Sequence, residues 1–130
     1  MTPEAKVKAK VKKILVELGA YYTMPMGTGF SSSGAPDFII CIAGLFYGIE
    51  CKANGGKPTA LQLKHFDDIR KAGGIALVID ESNVDSLRKE LLSHEQVRSY
   101  FEAFQRRQDG ERNRQDNGID KGVRVLRALD

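Results

Sequence analysis

The chain has 130 residues, 42% hydrophobic and 28% charged, with a net charge of +3. That length and balance suit one globular domain with its own core, and argue against a disordered or fibrous chain. No apolar run approaches the roughly 20 residues that span a bilayer, and the N-terminal lysines lead into no apolar signal segment, so neither a membrane partner nor secretion is expected.

Residues 3–18 read as an amphipathic helix. Thr2 suits its cap, Pro3 its first position and Glu4 its first turn. Val7, Val11, Ile14, Leu15 and Leu18 form one apolar stripe, and Lys6, Lys8, Lys10, Lys12 and Lys13 cover the remaining surface. A lysine-covered face is ordinarily a solvated one; the alternative is a face that meets a phosphate backbone. Gly19 ends the helix. Tyr21–Met24 reads as a short strand, followed by a loop from Pro25 to Gly34. Its glycines and the hydroxyls of Ser31, Ser32 and Ser33 either touch nothing or approach a phosphate closely.

The next segment is the most informative. Phe38–Ile42 and Leu45–Ile49 are short, β-branched and aromatic, and only Ala43-Gly44 separates them. A two-residue turn with glycine second predicts a tight hairpin. Counting outward, Ile42 faces Leu45, Ile40 faces Tyr47, and Asp37 lands opposite Glu50. Alternation then puts Phe38, Ile40, Ile42, Leu45, Tyr47 and Ile49 on one apolar face, with Asp37, Glu50 and Lys52 together on the other. Two carboxylates opposite one another sit ~4.5–5.5 Å apart and repel. A hard divalent cation would offset that repulsion, since Mg2+ takes one or two carboxylates and completes its shell with water and phosphate. The plainer alternative is a turn aspartate after Pro36 and two solvated residues at a strand end.

Ala53–Pro58 is a turn, and Thr59 to about Ala72 reads as a second helix, with Thr59 and Gln62 spaced as a capping box. Gln62 is either engaged in that cap or heads the stripe Gln62, Phe66, Ile69 and reaches the carboxylates. His65 and His94 have no partner suggesting a nucleophile–base pair. After Gly73-Gly74, Ile75–Ile79 reads as a strand buried on both faces. Helices are expected over 83–92 and 97–107, a mobile polar stretch from 108 to 117, and a short helix over 123–129. Cys41 and Cys51 fall on opposite faces of the hairpin, match no zinc pattern, and read as small core residues in a reducing compartment.

The order helix–strand–hairpin–helix–strand, with an acid at the hairpin base and Glu-x-Lys across from it, resembles the PD-(D/E)XK nuclease superfamily. Within it, the chain resembles the virus-type replication and repair nuclease family, VRR-NUC. The matching segments are Gly34-Ala-Pro-Asp37, Gly48-Ile-Glu50-Cys-Lys52 and Gly56-Lys-Pro-Thr-x-x-Gln62, then Gly73 and the strand after it, within residues 4–85. The resemblance implies an α/β fold: a restriction-endonuclease-like mixed β-sheet flanked by helices, with extra C-terminal helices. It divides the chain into a nuclease domain over 1–107 and a polar tail over 108–130.

The implied activity is that of a Mg2+- or Mn2+-dependent endodeoxyribonuclease with no small-molecule organic cofactor. Asp37 and Glu50, joined by the backbone carbonyl of Cys51, would hold the metal. Lys52 would contact the attacking water and the phosphate, and Gln62 would orient the cluster. Glu4 corresponds to an acid that some members place near the metal, although the helix dipole already explains its position. Lys8, Lys12, Lys57 and the serines Ser31, Ser32 and Ser33 are the candidate DNA contacts. Small stand-alone members resemble phage and bacterial proteins that act on branched DNA such as four-way (Holliday) junctions, which implies a place in replication, repair and recombination. A homodimer is therefore expected, to present two sites to two strands, in the cytoplasm of a bacterial or phage-infected host. The alternatives are a nuclease of flaps, ends or RNA, a non-cleaving DNA-binding module of the same fold, and an adaptor whose Arg-rich tail binds an acidic partner.

Overall fold

A computed structural model describes residues 1–26 and 34–114. The loop serines and the helix expected over 123–129 lie outside the described residues. Helix α1 (Pro3–Glu17) starts as its first residues dictate, with the Thr2 hydroxyl accepting the Ala5 N–H at 3.1 Å. It stops at Gly19, whose φ of +70° an L side chain rarely adopts.

Strands β1 (Tyr21–Thr23), β2 (Phe38–Ile42) and β3 (Leu45–Cys51) form an antiparallel meander. After helix α2 (Ala60–Lys71), strand β4 (Ile75–Ile79) joins β3 in parallel, giving the order β1-β2-β3-β4. The register follows from the turn. Ala43 and Gly44 have φ of 54° and 79°, the pair of positive angles that a tight hairpin turn requires, and Ile42 pairs with Leu45 and Ile40 with Tyr47 as expected.

One sheet face makes the core. Phe38, Ile40, Ile42, Tyr47, Ile49 and Cys51 are buried there against Val7, Val11 and Leu15 of α1 and Leu18 just after it. A 3-10 turn (Val84–Ser86), helix α3 (Leu87–Ser93) and helix α4 (Glu95–Arg114) complete it with Val84, Leu87, Leu91 and Val97. The aromatic residues of α4 pack onto their own domain. Tyr100 and Phe101 lie against the core, and the Tyr100 hydroxyl donates to the Gly19 carbonyl at 2.7 Å. Helix α2 covers the opposite face at β3 and β4. A Cβ on Gly48 would lie 2.7 Å from Ile69 Cδ1 and 3.0 Å from Pro36 Cγ, so only glycine lets the helix and the Pro36 ring rest directly on the strand.

Four expectations need correction. Strand β4 is an edge strand among the described residues, and Ile75, Leu77 and Val78 are only partly buried because no further strand flanks it. Cys41 is exposed, not in the core, because α2 leaves its part of the sheet uncovered, whereas Cys51 is buried as expected. The helix expected over 83–92 is split into the 3-10 turn and α3. Asp80, Ser82 and Asn83 delay it: the Asn83 side chain accepts the Asp80 N–H at 2.8 Å and donates to the Val78 carbonyl at 3.0 Å. Finally, α4 runs on to Arg114, through residues expected to be irregular, because its Gln, Glu and Arg residues are good helix formers however polar.

Candidate active site

The end of β3 gathers charge from three directions. The β2–β3 ladder closes at Phe38 and Ile49, and Asp37 has already left the strand. Its side chain takes over the next ladder position, Oδ2 accepting the Cys51 N–H at 2.8 Å. That bond pins the carboxylate beside Glu50, the neighbour that the hairpin register demands. Glu50 is 2% exposed and is the one buried charged residue among those described. Its Oε1 lies 3.7 Å from Lys52 Nζ, while its Oε2 is buried with no hydrogen-bond partner. From the other side, the first two turns of α1 bring in Glu4 and Lys8. One carboxylate oxygen from each of Glu4, Asp37 and Glu50 lies within 4.8 Å of the others, and Lys8 Nζ stands 3.4 Å from Asp37 Oδ1.

Three carboxylates this close cannot all ionise without cost. Burial, reinforced by the negative charges of Asp37 and Glu4, raises the Glu50 carboxyl to about 7, and Lys52 only partly opposes the rise. At neutral pH, therefore, Glu50 holds a proton much of the time. Burial and then Asp37 and Glu50 push the Cys51 thiol up to about 12, so its side chain stays neutral and offers no thiolate. Partial burial pulls Lys8 down, but Asp37 and then Glu4 more than reverse that, leaving its pKa raised.

This donor set fits a hard divalent cation. It is all oxygen, it includes a buried oxygen with no other partner, and its excess negative charge is what Mg2+ or Mn2+ would neutralise.

Asp37, Glu50, Lys52 and Glu4 are thus brought to one spot, with the backbone of Cys51 tied in through its N–H. Gln62 is held differently. The capping box forms in full, Gln62 Oε1 accepting the Thr59 N–H at 2.9 Å and Thr59 Oγ1 accepting the Gln62 N–H at 3.2 Å. Lys12 and Lys57 are exposed residues outside the charged cluster. What sequence reasoning missed is the neighbour of Lys8: expected to meet a DNA backbone, its ammonium here lies 3.4 Å from Asp37. The spacing of four between Glu4 and Lys8, which sets the two on one side of the helix, was the available signal.

No family model and no curated protein matches the chain. Among solved structures it is similar to a VRR_NUC domain, with a TM-score of 0.57 and 28% identity over 68% of this chain and 97% of that one. That likeness supports VRR-NUC membership. Its mixed four-stranded sheet flanked by helices matches that nuclease-type fold, and the segments around Asp37 and Glu50 meet at the end of β3.

Proposed function

We propose that this VRR-NUC domain is a Mg2+- or Mn2+-dependent endodeoxyribonuclease that hydrolyses phosphodiester bonds in branched DNA, four-way junctions included, and works as a homodimer. The observation that carries the reading is Glu50: a buried carboxylate with an unpartnered oxygen, set among Asp37, Glu4 and Lys52. A residue that serves only structure would not be left with a buried carboxyl oxygen lacking a hydrogen bond.

Asp37, Glu50 and the Cys51 carbonyl would hold the metal, with Glu4 alongside. In an extended strand the N–H and C=O of one residue point to the same side, so the Cys51 carbonyl is directed where its N–H meets Asp37. When bound, the metal supplies Lewis acidity at a phosphate oxygen and lowers the pKa of its water. The remaining work belongs to the chain. Lys52, 16% exposed and steadied by Glu50, presents positive charge where charge builds on the phosphate during hydrolysis. Gln62 is tied through its oxygen to Thr59 and keeps its amide N–H groups for orienting the cluster. Lys12, Lys57, Ser31, Ser32 and Ser33 contact backbone phosphates, which position DNA without reading its sequence. The dimer contact is assigned to Tyr21, Cys41 and Phe46, which pair across β1, β2 and β3 as one exposed row.

The test is a cleavage panel of four-way junction, flap, nicked, linear duplex and single-stranded DNA, each with EDTA, Mg2+ or Mn2+. Junction cleavage that requires the metal supports the proposal. Absence of cleavage on every substrate with metal present overturns it, and preferential cutting of flaps or ends overturns the junction assignment alone.

A further inference from the structure

Both oxygens of Asp37 are engaged. Oδ2 accepts the Cys51 N–H at 2.8 Å, and Oδ1 lies 3.4 Å from Lys8 Nζ. Glu50 differs, because its Oε2 has no hydrogen-bond partner. A divalent ion entering among Glu4, Asp37 and Glu50 therefore meets one unclaimed oxygen on Glu50, and on Asp37 an oxygen already held by an ammonium group. Two cations on one carboxylate oxygen repel strongly in a partly buried site.

We propose that Lys8 is the counter-cation of Asp37 in the metal-free protein, that it competes with the divalent metal for Oδ1, and that the metal releases it to a DNA phosphate. The inference rests on the nuclease reading and adds to it a residue that couples the two ligands. Local structure allows the movement. Val7 and Val11 are buried and fix the backbone of α1, but the Lys8 side chain is 34% exposed and can swing outward. The released ammonium would stay at the edge of the carboxylate cluster, within reach of a phosphate bound there. Metal and DNA should then each tighten the binding of the other, since such coupling is reciprocal.

The test needs no catalysis. Mn2+ binding to the full chain is measured by electron paramagnetic resonance, without DNA, for wild type, Lys8→Met and Lys8→Arg. Lys8→Met removes the competitor, so its Mn2+ affinity should rise roughly five- to thirty-fold, between the worth of an exposed ion pair and that of a charge-assisted hydrogen bond. Lys8→Arg keeps the charge and should stay near wild type. Equal or weaker binding by Lys8→Met overturns the inference while leaving the metal site standing. If wild type binds no Mn2+, the nuclease reading falls with it. A second measurement uses wild type alone, and so does not depend on a variant folding. With 13Cε-labelled lysine, the Lys8 signal should move when Mg2+ is added without DNA. A Lys8 signal that stays fixed while Mg2+ binds refutes the competition.

Discussion

Replacing Glu50 with glutamine should make the metal-free protein more stable at pH 8. The carboxyl titrates at about 7 in the folded protein against an ordinary 4.5, chiefly because it is buried and then because Asp37 is adjacent. Between those values the folded protein keeps a proton that the unfolded chain has lost. Stability contributed by this group is therefore greatest below about pH 4.5, falls as pH rises to about 7, and is level above that. At 1.36 kcal/mol per pH unit, the full span comes to about 3 kcal/mol. Glutamine has nearly the same shape and cannot ionise, so Glu50→Gln avoids the loss, less about 1 kcal/mol for altered hydrogen bonding. The assay is urea unfolding of both proteins in EDTA at pH 4.5, 6, 7 and 8. The difference between them should be about 1 kcal/mol in favour of wild type at pH 4.5, change sign as pH rises, and reach about 2 kcal/mol in favour of the variant at pH 8, a midpoint shift there of roughly 1 M urea. Saturating Mg2+ should reverse the order, since an ion at a hundred times its Kd adds about 2.7 kcal/mol to wild type only. A variant less stable than wild type at pH 8 in EDTA, or a difference independent of pH, would refute the reasoning.

Asp37→Ala and Glu50→Ala should each abolish cleavage while gel-shift affinity for DNA, measured in EDTA, is largely retained; full activity of either with metal present would remove the site assignment. Lys52→Ala should lower kcat more than it weakens metal binding, which single-turnover rates over a Mg2+ titration will separate. Gly48→Ala forces a methyl group against Ile69 Cδ1 and Pro36 Cγ, so it should cost about 1–3 kcal/mol, with partial rescue by Ile69→Val in a double-mutant unfolding cycle. If the proposed homodimer forms through this row, light scattering should find wild type dimeric and Phe46→Glu monomeric, with the fold intact because the Phe46 side chain is 43% exposed.

The hairpin was legible because few solutions exist. Two strands with one two-residue turn allow a single register, and the wrong one would turn the Phe38, Ile40 and Tyr47 face to solvent. That register also brings Asp37, Glu50 and Lys52 together. What it could not show was how Asp37 is held, since its bond to the Cys51 N–H exists only because the ladder ends one residue early.

Contacts that depend on how separate elements cross were hidden. Lys8 looks like any other lysine of α1 until the helix is laid over the sheet end and its ammonium meets Asp37. Cys41 and β4 were misplaced for a related reason: alternation gives the two faces of a strand, but not which neighbour covers them. The extent of α4 was missed because residues 108–114 were weighed by polarity, when helix propensity and continuity with a packed helix decided the outcome.

The account turns on a divalent cation seated among Glu4, Asp37 and Glu50. The most direct measurement is an anomalous difference map from crystals soaked in Mn2+. It should show a peak within coordination distance of carboxylate oxygens of Asp37 and Glu50 and of the Cys51 carbonyl, absent from crystals of Asp37→Asn. A map without a peak there at saturating Mn2+, or with manganese bound only elsewhere, would contradict the account.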